Sequence, residues 1–290
     1  MIRLNYSIAL RYQVGAPGAD AIFNVQAAHT ARQIVVHESL DLSPGATTRV
    51  WVDPPSGNRY LRIGARPGPL LLRYVATVDL DHHAAAPASL QQLPIADLPG
   101  AVLPYLYPSR YCESDRLQPL AMQHFGQLPQ GHARVRAVQD WVRSQVRYVS
   151  NSSVGTTTAC DTLASGQGVC RDFAHVMIAL CRALNLPARF TTGLDYGADP
   201  ILGPPDFHAY VEVYLSHRWF LFDPSGTAIP MGFVRIATGR DAADSAFATL
   251  FGPVQAEPMQ VSIRALPPAD GSGRLPIHCA DALSTDTGPA

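Results

Sequence analysis

The chain is poor in charge, and what charge it has is balanced. Charged residues are 16% of the 290, with 22 basic side chains against 23 acidic ones. So even a mixture offers no basic stripe, and no nucleic-acid partner is expected. No run of about 18 apolar residues occurs, so no membrane-spanning helix and no membrane partner are expected. The opening stretch Met1-Ile2-Arg3-Leu4-Asn5-Tyr6 alternates polar and apolar residues at once and holds no signal-peptide core. Cysteine is scarce and odd in number: Cys112, Cys160, Cys170, Cys181 and Cys279. With no CxxC pair among them, neither a disulfide framework nor a zinc cluster is suggested. A reducing cytoplasm fits this usage. No HExxH and no DxDxDG loop is present, so neither a metal nor a cofactor is expected.

What the chain does have is apolar material, at 47% of residues. That is enough for a packed core, and the length suits two domains. Leu4, Tyr6, Ile8, Leu10 and Tyr12 alternate with Arg3, Asn5, Ser7, Ala9 and Arg11, the pattern of a half-buried strand. Strand-like runs recur over 22–27, 33–40, 50–52, 60–63 and 70–80. Ser43-Pro44-Gly45 and Pro54-Pro55-Ser56-Gly57-Asn58 punctuate them as turns. Short strands so spaced predict a β-sandwich. His82 and His83 are adjacent, and neighbours on an extended chain point apart, so no metal role is expected of them. From Ala84 to Arg110, Pro87, Pro94, Pro99, Pro104 and Pro108 bar helix and central strand alike. This stretch reads as the interdomain connection, giving a first domain over 1–108.

Helical patterns follow at 117–125 and 133–146. Thr156-Thr157-Thr158 can cap a short helix running through Leu163, which Gly166 and Gly168 end. A second helix starts at Cys170, with Phe173, Met177, Leu180, Cys181 and Leu184 at helical spacing. Asn185 closes it and Pro187 forbids its continuation. The pattern then alternates again over 187–194, 208–215 and 219–223, the last two forming a hairpin about Ser216-His217-Arg218. Residues 196–205 between them are a Gly/Pro loop. Further strands are predicted at 234–236 and 254–265. A second domain over 109–266 results. Residues 267–290, rich in Pro, Gly, Ser and Asp, read as a flexible tail in which Cys279 is incidental.

Three places in the second domain carry chemistry. Cys170 opens a helix, where unpaired N–H groups and the helix dipole favour negative charge. The thiolate is the nucleophilic form of cysteine. His208 begins a strand just past the loop. Asp223 ends the neighbouring strand of the hairpin, and in a hairpin the start of one strand lies near the end of the next. Base and orienting carboxylate are thereby brought together, as nucleophilic catalysis requires.

The blocks Gly168-Val169-Cys170-Arg171-Asp172-Phe173-Ala174-His175, 179–189, Asp206-Phe207-His208-Ala209-Tyr210 with Glu212, and Trp219 through Asp223-Pro224 agree in order and spacing with a known family. They resemble the transglutaminase-like superfamily of papain-fold enzymes, in particular its bacterial members described as cysteine proteases. Gly239-Arg240-Asp241-Ala242-Ala243-Asp244 also looks like a stretch of that group, and the first half is similar to the β-sandwich that precedes the core. The resemblance implies an α+β chain, a β-sandwich followed by a papain-like cysteine-enzyme core. It implies Cys170 as nucleophile, His208 as general base and acid, and Asp223 as the orienting carboxylate. The substrate would be a peptide, a protein or a small amide, attacked to give a thioester that an amine or water resolves. The Cys170 backbone N–H and one further donor would meet the oxyanion; Asn151, Gln167 and Trp141 are the candidates for the second. A binding or scaffold protein on the same fold is the alternative, and the intact set of three argues against it.

The neighbouring polar residues read as structural. His175 lies five positions past Cys170 and is turned away from the thiol. Arg171 and Asp172 suit helix-start contacts, and Asp206 suits shaping of the loop before His208. Glu212 shares a sheet face with His208 and suits a structural hydrogen bond. Cys181 falls on the apolar side of the helix. The loop 196–205 is expected to line one wall of the cleft and the sandwich the other.

Overall fold

The computed structural model describes residues 1–197, 205–266 and 273–286. The alternation at the start of the chain forms β1 (Ile2–Val14), in which every even-numbered residue is buried. β2 (Ala19–Phe23), β3 (Gln33–Leu42), β4 (Thr47–Val52), β5 (Arg59–Ala65) and β6 (Gly68–Leu80) follow. β1, β6 and β3 pair side by side in one antiparallel sheet, and β2, β5 and β4 in another. Leu4, Tyr6, Ile8 and Leu10 of β1 join Leu72, Tyr74 and Val78 of β6, and share one apolar core with Phe23, Leu61 and Ile63 of the second sheet. One buried and one wetted face per sheet is what period-two alternation demands. The expected β-sandwich is present.

The proline-rich connection holds β7 (His83–Ala85) and three short 3-10 turns, Pro87–Ser89, Ile95–Asp97 and Gly100–Leu106. Then come α1 (Ser114–Phe125), α2 (His132–Gln145), β8 (Arg147–Tyr148), α3 (Ala159–Ser165), β9 (Gln167–Gly168) and α4 (Cys170–Ala183). Thr158 caps α3 as its sequence suggests: its Oγ1 accepts from Asp161 N–H at 3.3 Å, and Asp161 accepts from Thr158 N–H at 3.0 Å. β10 (Ala188–Asp195), β11 (Phe207–Leu215), β12 (Arg218–Phe222) and β13 (Phe233–Gly239) form an antiparallel sheet in the order β12-β11-β10-β13. α4 covers one face, with Phe173, Met177 and Leu180 in one cluster with Ala209, Val211 and Val213. The chain is α+β, a sandwich and a core of helices against a four-stranded sheet.

The division at 108 and 266 does not describe how the strands pair. β14 (Ala248–Phe251), β15 (Val254–Ala256) and β16 (Gln260–Leu266) return to the sandwich, β14 beside β2 and the other two along β1. The cause is the length of β1. Its thirteen residues have β6 along one edge only, and the other edge needs a partner for its N–H and C=O groups.

The tail expected to be flexible is also corrected over 273–286. β17 (Ala282–Ser284) pairs with β7, and all three of its residues are buried. Leu283 packs with Tyr210, Leu221 and Phe233 on the sheet face that α4 leaves open. Asp286 pairs with Arg189 at 2.7 Å. A three-residue strand inside a polar composition gives no periodic signal, and its partners lie far away in sequence.

The sandwich meets the second sheet at β13. The Arg235 N–H donates to Gln33 Oε1 at 2.8 Å, and Gln33 Nε2 donates back to the Arg235 carbonyl at 2.7 Å. Asn58 repeats the pattern on Thr238, at 2.9 and 2.7 Å. Two side-chain amides thus satisfy an edge strand as a neighbouring strand would. Leu194, Val234 and Ile236 belong to the sandwich core.

Candidate active site

Cys170 is the first residue of α4 and is partly exposed. Three contacts fix its approach. The Val149 N–H donates to the Gly168 carbonyl at 3.0 Å, continuing the β8–β9 pairing. Asp172 accepts from the Val169 N–H at 2.8 Å, and Arg171 pairs with Asp172 at 3.1 Å. Arg171 also donates to the Val154 carbonyl at 2.7 Å, so both residues hold the helix start as expected. At Gly168 a Cβ would lie 2.7 Å from Asp172 Cβ, so a side chain there would displace the capping carboxylate.

His208 is the second residue of β11 and is buried. Its register partner on β10 is Gly193, where a Cβ would strike the Val234 carbonyl oxygen at 2.0 Å. The imidazole is flanked on both edges. Nε2 lies 3.6 Å from Asp223 Oδ1 and 3.5 Å from Ser225 Oγ. Nδ1 lies 3.5 Å from Asp195 Oδ2. The charge of the Cys170 thiolate bears on the ring. The three residues read from the sequence, Cys170, His208 and Asp223, therefore gather around one imidazole.

The two carboxylates have different surroundings. Asp223 follows β12 directly. Its Oδ1 accepts from Ser225 N–H at 3.0 Å and from Ser225 Oγ at 2.6 Å, and its Oδ2 accepts from Ala228 N–H at 3.3 Å. Burial opposes its charge, but the hydrogen bonds with His208 and Ser225 hold it below the usual carboxylate range. Asp195 ends β10 and is buried. Its Oδ1 accepts from Tyr210 OH at 2.9 Å, and its Oδ2 has no hydrogen bond among the described residues. Burial pushes Asp195 up to about 7, against the pull of His208. For His208, burial alone would lower the pKa. The charges of Asp195 and Cys170, with Asp223, reverse this and raise it well above the ordinary value.

Asp195, Tyr210 and Ser225 were not read from the sequence. The reasoning that brings Asp223 to His208 applies equally to the other neighbouring strand. β10 and β11 are antiparallel, so the end of β10 also lies beside the start of β11.

The remaining candidates fall where their chemistry suggests. His175 is fully buried, stacked on Tyr111 with ring centroids 4.9 Å apart, and its Nε2 accepts from Ala242 N–H at 3.1 Å. Burial drives its pKa well below that of a free histidine. Asp206 accepts from Phe207 N–H at 2.6 Å at the entry to β11. Glu212 is fully buried between Arg189 at 2.5 Å and Arg235 at 3.1 Å. Cys181 lies in the core, where burial pushes the thiol up to about 12. Trp141 packs against His124 and Phe125. Asn151 is exposed. Among the described residues, none of Asn151, Gln167 and Trp141 hydrogen-bonds to Cys170 or His208. Residues 198–204 of the loop expected to line one wall lie outside the described residues. On the sandwich side, Phe207 stacks on Phe247 at 4.5 Å, next to His208 in sequence. Among the described residues no cluster of three or more His, Cys, Asp or Glu side chains is placed to hold a metal.

Residues 121–224 match the transglutaminase-like superfamily core, and residues 2–101 match the bacterial transglutaminase N-terminal domain. A crystal structure from Cytophaga hutchinsonii, described as a "Putative Cysteine Protease", is similar over nearly the whole chain. It is 37% identical with a TM-score of 0.90, covering 98% of this chain and 97% of that one. An uncharacterized protein of Mycobacterium leprae (strain TN) is 28% identical over 117 residues, 39% of this chain and 42% of its own length. An uncharacterized protein of Mycobacterium tuberculosis (strain ATCC 25618 / H37Rv) is 27% identical over 121 residues, 38% of each chain. The chain thus spans well under half the length of these two relatives.

Proposed function

The chain belongs to the transglutaminase-like superfamily, and on that premise we propose that it is a cysteine-nucleophile acyl-transfer enzyme acting on amide or peptide bonds. The observation that carries this reading is the crowding of Cys170, His208 and Asp223 around one buried imidazole, with Asp223 Oδ1 at 3.6 Å from Nε2. Cys170 Sγ attacks the carbonyl carbon as its proton passes to His208. His208 gives that proton to the departing amine, the C–N bond breaks, and a thioester remains on Cys170. Water or a second amine then attacks the thioester. The proton of the attacking group goes to His208 and on to Sγ, and an acid or a new amide leaves. Asp223, kept ionised by Ser225, holds the ring and stabilises the imidazolium. The Cys170 backbone N–H supplies one oxyanion donor.

The test is intact mass after exposure to a glutamine peptide, an ordinary peptide and a small amide, each with and without a primary amine. The expected result is an acyl adduct in the natural protein and none in Cys170→Ala. An amine-dependent product separates transferase from hydrolase. No adduct with any of them, together with iodoacetamide labelling of Cys170 no faster than that of an ordinary thiol, would leave a scaffold on an enzyme's fold. We place the reaction in the cytoplasm, on the strength of five unpaired thiols. Recovery of the native protein with a disulfide would speak against that compartment.

A further inference from the structure

His208 has a carboxylate on each side, and only one of them is needed to orient it. Asp223 and Ser225 occupy the Nε2 edge. Asp195 Oδ2 stands at the Nδ1 edge, at 3.5 Å. Asp195 is not a casual neighbour. It is buried at the end of a strand whose eight residues are all buried, and among the described residues its one hydrogen bond comes from Tyr210. Oδ2 has no hydrogen-bond partner among the described residues. A buried carboxyl oxygen left without one is costly unless it is put to use.

We propose that Asp195 is a second positioning carboxylate, one that faces the Nδ1 edge of His208 opposite Asp223 and, by holding or releasing a proton, sets the pH range over which the imidazole can serve Cys170. The inference rests on the thiol-enzyme reading above. A pair of carboxyls whose surroundings drive them apart in acidity marks a division of roles. Asp223, with three donors besides the histidine, is the permanent anion. Asp195, with one, is the variable member. A proton on Oδ2 with a neutral ring, and a charged carboxylate with an imidazolium, differ only in where one proton lies across the 3.5 Å gap. In the second arrangement the carboxylate stabilises the imidazolium while competing with the thiolate for it.

The groups bearing on this exchange can be named. Asp195 faces His208 and Tyr210 from β11 and Asp223 from the end of β12. His208 faces these carboxylates, Cys170 from α4 and Ser225. Asp206, and Tyr148 on β8, sense the charge of His208 as well.

The experiment follows the His208 imidazole by nitrogen NMR across pH, in the full chain labelled at histidine. The signal is assigned by its loss in His208→Gln. Iodoacetamide labelling of Cys170 is timed over the same range. In Asp195→Asn the His208 midpoint is expected to fall by about one pH unit, since a facing charge is lost. Tyr210→Phe removes the bond that favours the charged carboxylate, so the midpoint should move the same way by less. An unmoved midpoint in folded Asp195→Asn overturns the inference. If that variant does not fold, an unmoved midpoint in Tyr210→Phe does so instead. Fast labelling of Cys170 in the natural protein with unmoved midpoints sinks this inference alone. Labelling of Cys170 no faster than that of an ordinary thiol sinks the enzyme reading beneath it.

Discussion

The sandwich and the four-stranded sheet treat polar residues in opposite ways. In β1, buried residues alternate with partly or fully exposed ones along its whole length. Its polar side chains turn to the surface, as partly exposed Arg3 does in pairing with Asp79 at 2.7 Å. In β10 all eight residues are buried, and four of them, Arg189, Thr191, Thr192 and Asp195, are polar or charged. α4 covers one face of that sheet, and the segment carrying Leu283 covers part of the other. A polar group between two covered faces has no water to fall back on. Leaving it unpaired there costs free energy. Arg189, Glu212 and Arg235 are paired with one another. His208 and Asp195 face each other instead, with 3.5 Å between Nδ1 and Oδ2.

The sharpest way to break this contrast is to remove the sulfur. Cys170→Ala should lose all covalent labelling at the site while its melting temperature stays where it was. The contrast fails if labelling persists on another cysteine at the same rate. His208→Gln should slow acyl transfer about a hundredfold or more, with the fold retained. Steady-state kinetics reads that loss, and circular dichroism checks the fold.

Stability separates the two regions next. Glu212→Gln leaves Arg189 and Arg235 short of a buried counter-charge and should cost about 3–5 kcal/mol by urea unfolding. Leu72→Ala in the sandwich core should cost about 2–5 kcal/mol through its cavity, yet leave the rate of Cys170 labelling unchanged. A changed rate would mean that the sandwich shapes the site as well as supporting it.

Acid should act on the second region through His175. Its folded pKa lies well below the ordinary value because burial penalises its charge. Its contribution is therefore complete above the unfolded pKa of about 6.5 and is lost as pH falls below that toward the folded value. Melting temperatures taken downward from neutral pH should decline, and less steeply in His175→Gln. The smallest effect belongs to the surface. Arg136 and Asp140 pair at 3.0 Å on an exposed face of α2, and Arg136→Ala should cost about 0.5 kcal/mol or less.

Much of this was legible in the sequence because it is local. Thr158, the Cys170 helix and its stop at Asn185 follow from spacing and caps within a dozen residues. Asn185 indeed takes a positive φ of 60°, suited to a helix end. Cys170, His208 and Asp223 could be joined because one hairpin fixes two of them. What escaped notice depends on partners distant in the chain. The pairing of β16 with β1 joins residues more than 250 positions apart, and no period in either strand announces it. Asp195 escaped for a different reason. It looks like any acidic residue before a loop, and only the covered faces around it make its position chemically charged with consequence.

The pairing of β1 also bears on how the protein is made. The ribosome delivers β1 about 240 residues ahead of β15 and β16. Until then one long edge of the first strand stands open to any passing backbone. Native closure of the sandwich therefore waits for β15 and β16, and a holding chaperone that shields that edge should raise the yield of folded protein from a crowded cell.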